Sequence, residues 1–245
     1  MMASDVSPPQ YSFPKDASSL ILIDRSGPQP RVLMGQRNYD MAFMPGYYVF
    51  PGGRTDRSDS FLIPQNTLPN NVQVQLSSNI KGRSGAHHAA LAQKQYNRTQ
   101  ALALTAIRET FEETGILVGS HSPSKPRYIP DMWKTFFAHN IEPKLSALEF
   151  VARAITPPNK IKRYDTRFFC TYTEEIGKVL EFQKGELLHI DWFTFEQAKS
   201  QNIPRITRAI LSDMEIYLQK DNLDDPKKTF PFYYIEQELV QRIWL

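Results

Sequence analysis

The chain has a single cysteine, Cys170, among its 245 residues. An intrachain disulfide is excluded, and a reducing compartment is compatible with that usage. Long apolar runs are missing as well: none approaches the roughly 20 residues that a membrane span requires. A strong charge of either sign is also absent. Lys+Arg 29 against Asp+Glu 26 leaves a formal net charge of +3, too small to imply a nucleic-acid partner, where clustering on one face matters more than the total. Met1 to Gln10 lack the basic start and apolar stretch of a secretory leader, and Arg242-Ile243-Trp244-Leu245 does not match a Ser-Lys-Leu peroxisomal address. The expectation is a cytoplasmic protein with no membrane partner. What is present is globular material, 41% hydrophobic and 22% charged, enough for one elaborated domain. No repeat, low-complexity tract or linker marks a second, so one domain over residues 1–245 is expected.

Against this background stands Arg108-Glu109-Thr110-Phe111-Glu112-Glu113-Thr114-Gly115. In a helix, Glu109 precedes Glu112 by three residues and Glu113 by four, so the three carboxylates share a face. Glu109 and Glu113 repel at i,i+4, by about 0.2–0.5 kcal/mol. Glu112 and Glu113 also stand just before Gly115, a natural helix stop, where the macrodipole disfavours acids. Arg108 can pair with Glu112 and offset part of this. Negative charge gathered at the wrong end of a helix makes sense if a cation sits there, and hard carboxylate ligands point to Mg²⁺ or Mn²⁺. The competing reading is a solvated acidic helix end.

Upstream, Tyr48-Val49-Phe50 runs into Pro51-Gly52-Gly53-Arg54, a turn whose bare backbone can approach a metal or phosphate. Pro51-Gly52-Gly53 and Arg108-Glu109-x-x-Glu112-Glu113-x-Gly115 together resemble the two halves of the Nudix box, the metal-binding loop–helix signature of Nudix hydrolases. The spacing departs from the usual pattern. Asp59 stands where a glutamate is usual, residues 60–107 replace a spacer of seven, and Thr110 takes a normally aliphatic position. Such a split box resembles the branch that includes peroxisomal coenzyme A diphosphatases and many bacterial proteins. The resemblance implies an α/β fold, a Nudix-type α/β/α sandwich with a mixed sheet and a long insertion between the Pro-Gly-Gly turn and the catalytic helix. It also implies metal ligation by Glu109, Glu112 and Glu113, with the Gly52 carbonyl.

Ser18 to Asp24 reads as a buried strand and Arg31 to Arg37 as its hairpin partner. Residues 60–97 are the insertion, its first half read as irregular loop and Gly85 to Tyr96 as helical in composition. On that reading residues 62–84 are dispensable for folding. His87 and His88 are adjacent, diverge on a helix and have no cysteine pair to complete a zinc site, so they read as solvated. Residues 98–114 form the central helix, with Leu102, Ala103, Ala106, Ile107, Thr110 and Phe111 at core spacing. Further along, Asp131 to Asn140 reads as a short helix and Leu148 to Thr156 as a strand. Arg163-Tyr164-Asp165-Thr166-Arg167-Phe168-Phe169 reads as another strand and resembles a second segment of the same branch. Arg163 and Arg167 suit bidentate phosphate binding, with a structural pair to Asp165 as the alternative. Glu186 to Phe193 resembles a late Nudix strand, and residues from about 195 to 245 are expected to be a helical elaboration.

The reaction implied is metal-assisted hydrolysis of a pyrophosphate bond in a nucleoside diphosphate linked to another moiety, with coenzyme A or an acyl derivative the leading substrate. Arg108 supports the glutamates. Arg37, Arg163, Arg167 and Gly53 are the substrate-binding candidates, and Phe43 or Tyr47 could stack on adenine. The general base is expected among Glu109, Glu113, Glu186 and Glu174. Alternatives are nucleotide housecleaning, RNA decapping, or a non-catalytic ligand-binding module; the last should lack box glutamates, and all are present. The expected partner is a small nucleotide-type molecule rather than nucleic acid, and a homodimer is left open.

Overall fold

The computed structural model describes residues 13–77, 92–160, 162–219 and 229–245. The chain opens with β1 (Lys15–Asp24), β2 (Arg31–Arg37), β3 (Tyr48–Val49) and β4 (Gly52–Arg54), followed by α1 (Asn70–Ser77) and α2 (Ala92–Thr114). Then come β5 (Ile116–His121), α3 (Lys134–Phe137), β6 (Ile141–Pro143), β7 (Glu149–Ile155), β8 (Tyr164–Tyr172) and β9 (Ile176–Val179). β10 (Leu187–Thr194), α4 (Phe195–Ser200), α5 (Arg205–Gln219), β11 (Pro231–Glu236) and β12 (Leu239–Trp244) complete the described chain.

Strand alternation divides the aliphatic run of β1 between two cores. Leu20 and Leu22 pack with Leu102, Ile107 and Phe111 of α2, whereas Ile21 and Ile23 pack with Ile210, Leu211 and Met214 of α5. Each such buried side chain contributes about 1.5–3 kcal/mol by leaving water. The result is a mixed sheet between helical layers, in the order β10-β2-β1-β8-β7-β11-β12, with β3 on β2 and β4 on β1. β1 runs parallel to β8 from Lys15 to Ile23. Its other edge is shared: Ile23 and Asp24 pair with β2, while Ala17, Ser18 and Ser19 pair antiparallel with Arg54, Gly53 and Gly52. That division draws the Pro-Gly-Gly turn down beside α2.

The α2 C-terminus is stopped by Gly115, whose φ of +74° favours glycine and whose N–H donates to the Phe111 carbonyl at 2.8 Å. Thr110, the unusual residue in the motif, is fully buried and donates its hydroxyl to the Ala106 carbonyl at 2.7 Å, so its polarity is satisfied within the helix. At α4, Thr194 caps in a box with Gln197.

Three expectations are corrected. The first half of the insertion is not all loop, because Asn70–Ser77 is helical, and Leu62, Leu68 and Val72 are buried against the α2 layer. Leu62, Leu68 and Val72 thus belong to the core, whereas residues 62–84 were expected to lie outside it. The C-terminal elaboration is helical only in part, since β11 and β12 form an antiparallel hairpin that joins β7 in parallel. The short strands β5, β6 and β9, which form a separate sheet, were not anticipated. His87, His88 and the N-terminal ten residues lie outside the described residues, as does most of the Gly85 to Tyr96 segment.

Candidate active site

α2 and β4 build the site between them. A methyl group on Gly53 would overlap the Glu109 carboxyl group, and one on Gly52 would overlap Ser18 and Ser19 of β1. The two glycines are thus demanded by close approach rather than by an unusual backbone angle. The Gly52 N–H donates to Glu113 Oε2 at 2.9 Å. Gly52 was expected to offer its carbonyl; the contact it makes with the glutamates is through its amide.

Arg108 is the hub. Its Nε and Nη2 donate to Asp59 at 2.9 and 3.0 Å, and its Nη1 donates to Glu109 at 2.9 Å and Glu112 at 2.8 Å. Asp59 is wholly buried and also accepts from Thr105 Oγ1 at 2.9 Å and Trp133 Nε1 at 3.0 Å. Its shorter side chain thus fills the place usual for glutamate, reached through a 3-10 turn capped by Asp56. Burial opposes the charged guanidinium, but the bonds and charge of Asp59, with Glu109 and Glu112, hold the Arg108 pKa above its ordinary value.

One arginine does not neutralise the carboxylates around it. Burial, with the Glu112 charge and against the pull of Arg108, pushes Glu109 up to about 7. Burial lifts Glu113 to about 8; the Gly52 N–H opposes this, while Glu109 and Glu186 add to it. Glu112 is raised too, chiefly by burial. Among the described residues no three acidic, histidine or cysteine side chains converge in metal-holding geometry, because Glu109 and Glu112 turn to Arg108 while Glu113 turns to Gly52. The donor chemistry nevertheless fits a hard divalent cation: buried carboxylates in excess, on one helix face, beside a bare turn.

A cavity of about 630 Å³ opens on this cluster, lined by Glu109, Gly52, Gly53, Arg37, Arg54 and Glu186 among others. Arg37 Nη2 lies 3.7 Å from Glu186 Oε2, and its Nε donates to the Phe43 carbonyl at 2.9 Å. Phe43 lines the cavity and meets Tyr164 edge to face at 5.8 Å between centroids; Tyr47 is not part of the wall. Glu174 pairs with Arg25 at 2.7 Å and does not line the cavity.

Arg163 and Arg167 are not at the cavity. β8 presents Tyr164, Thr166 and Phe168 to it, so residues of opposite parity face the α2 side. There Arg167 binds Asp165 at 2.9 Å and Asp16 at 3.3 Å, and Arg163 Nε donates to the Thr156 carbonyl at 3.1 Å. Burial, partly offset by Asp165, lowers Arg167 to about 10. The cations overlooked in the sequence are Arg54, Lys160 and Lys162, which do line the cavity. Lys160 and Lys162 stand before the start of β8, where strand alternation gives no signal of direction.

Comparison with known proteins gives the family and the fold. The NUDT19 Nudix domain family matches residues 14–205. A Nudix hydrolase from Alicyclobacillus acidocaldarius is similar at a TM-score of 0.60 and 23% identity, over 85% of this chain and 96% of that one. The Nudix domain of Shewanella oneidensis NrtR, complexed with ADP-ribose, is similar at a TM-score of 0.46 and 12% identity, over 87% and 94% of the two chains. Among the described residues no helix is long and apolar enough to cross a membrane. With its split motif closed into one site and the family matching more than half its length, the chain belongs to the Nudix family, in the NUDT19 group, and is a hydrolase of phosphorus anhydrides.

Proposed function

We propose that this hydrolase cleaves the diphosphate bond of a nucleoside diphosphate linked to a second moiety, with coenzyme A or an acyl derivative the leading substrate, and does so with Mg²⁺ or Mn²⁺. The observation that carries the reading is the placement of Glu109 and the Gly52-Gly53 turn in the wall of one cavity. That cavity has mostly apolar walls and, at about 630 Å³, falls in the range of sites for ligands larger than a bare diphosphate. Glu109, Glu112 and Glu113 would hold the divalent ion, which when bound supplies charge neutralisation and a water of lowered pKa.

The chain's own residues divide the remaining work. Arg37 lies where it can hold a phosphate oxygen, its guanidinium already oriented by the Phe43 carbonyl and Glu186. Glu109 and Glu186 are the carboxylates in the wall and so the candidates to accept the proton of the attacking water. Arg108 and Asp59 keep the α2 carboxylates fixed, which limits the reorganisation needed as charge develops. A cytoplasmic site of action is part of the reading, consistent with Cys170 as a buried free thiol. The test is a turnover screen of coenzyme A, acyl derivatives, NADH, ADP-ribose and nucleoside triphosphates with each metal. Metal-dependent cleavage of a linked nucleoside diphosphate is expected; no cleavage with either metal would sink the reading.

A further inference from the structure

β1 carries a serine on its α2 face just where the core begins. Alternation sets Ser18 on the side of Leu20 and Leu22, which pack against α2, and on that side Asp16 reaches Arg98 of the same helix. Ser18 is 0% exposed, and its Oγ has no hydrogen-bond partner among the described residues. Burying an unpaired hydroxyl is unfavourable, and alanine would fill almost the same space without that cost. Among the described residues Ser18, Thr55, Gln75 and Thr171 share this condition. What sets Ser18 apart is its ladder partner. It stands directly opposite Gly53 in the pairing of β1 with β4, and a Cβ added to Gly53 would come within 2.4 Å of the Glu109 carboxyl group. Directly opposed side chains project to one face, with Cβ atoms about 4.5–5.5 Å apart. Glu109 therefore enters the space beside the Ser18 hydroxyl that a larger residue at position 53 would fill.

We propose that Ser18 is a positioning residue for the metal-binding carboxylates: its hydroxyl donates to Glu109 and holds that side chain in the orientation in which it grips a divalent ion. This rests on the reading that Glu109 is a metal ligand. Two carboxylates share the α2 face near Ser18, and they differ in what they have left to accept. Asp16 has both oxygens engaged by Arg98, with Arg167 as a further donor. Glu109 has Oε1 engaged by Arg108 Nη1, while Oε2 accepts no hydrogen bond among the described residues. Arg167, beside Ser18 in the ladder with β8, offers no acceptor at all. A hydroxyl donates one bond and carries no charge, so it orients a carboxylate without neutralising it, as Arg108 does.

The test is a calorimetric titration of Mn²⁺ into the substrate-free protein, unaltered and as Ser18→Ala, with urea unfolding of both in the absence of metal. The alanine variant is expected to bind Mn²⁺ about tenfold more weakly, the scale of a lost bond to a ligating side chain. Its urea midpoint without metal should be unchanged or higher, because no hydrogen bond of the metal-free protein is removed and a desolvated hydroxyl is. That combination separates positioning from a structural role, which would move the midpoint and leave the affinity of the folded protein alone. Equal Mn²⁺ affinity in the two proteins overturns the proposal while leaving metal binding by the glutamates intact. A lower midpoint in the metal-free variant also overturns it, since the hydroxyl would then hold the fold rather than Glu109. Failure of the unaltered protein to bind Mn²⁺ removes the metal reading itself, and the role of Ser18 with it.

Discussion

Two clusters of arginine and carboxylate lie on the α2 side of the sheet, and in the sequence they look alike. In one, Arg108 stands alone against Asp59, Glu109, Glu112 and Glu113. In the other, Arg98, Arg153 and Arg167 share Asp16 and Asp165, with Arg153 bidentate to Asp165 at 2.6 Å and Arg98 bidentate to Asp16 at 2.7 Å. The first has carboxylates in excess and opens to the cavity through Glu109; the second is close to charge balance, and none of its members lines the cavity. Charged side chains are evidence of a site when their charge is left uncompensated beside open space. Where each charge has found a partner, the cluster is architecture.

The sharpest way to break the contrast is to neutralise one carboxylate in each cluster. Glu112→Gln or Glu109→Gln is expected to lower metal-dependent kcat by about 100-fold or more, the scale of a lost general base or metal ligand. Thermal stability should change little, because a poorly compensated charge is being removed. Asp165→Asn should do the reverse, leaving buried Arg167 short of a partner at a cost of about 3 kcal/mol in urea unfolding. Loss of turnover with full stability in Asp165→Asn would erase the distinction.

Asp59 joins the two behaviours. Asp59→Ala strips the bidentate partner from an arginine only 2% exposed, and about 3–5 kcal/mol of destabilisation is expected together with loss of activity. Unchanged denaturation would show that Arg108 finds compensation elsewhere. The smallest effect belongs to a carboxylate outside both clusters. The hydroxyl and amide of Ser26, with Arg31, hold Asp24 down at about 2 against an ordinary 3.8. A depressed acid stabilises the fold above its unfolded value and loses that contribution as pH falls through about 2. Asp24→Asn should therefore flatten the acid limb of the stability curve between about pH 4 and 2 while activity at neutral pH stays the same; an unaltered acid limb would contradict it.

Much of this architecture could be read in advance. The strands at Ser18 to Asp24 and Arg31 to Arg37 and the stripe on α2 follow from apolar periodicity, which burial enforces on any chain that folds around them. α1 escaped because Asn70–Ser77 is polar and holds its place through few apolar contacts, chiefly Val72 and, just before it, Leu68. The β11–β12 hairpin escaped because its place is set by pairing with β7, remote in sequence. Arg163 and Arg167 were weighed for phosphate binding on residue type alone; strand parity decides their side, and parity depends on which face of β8 the cavity occupies.

The sequence alone determined the family motif, the helix carrying three glutamates on one face, and the glycine turn, because helical spacing and the missing side chains are local properties. The tertiary fold decided which carboxylates stay uncompensated. Only the pairing of β4 with β1 brings Gly53 against Glu109, and only the packing of two short turns, Arg57–Ser60 before α2 and Asp131–Trp133 after β5, places Asp59 and Trp133 around Arg108. Charge compensation is a sum over neighbours in space, and chain order does not specify those neighbours.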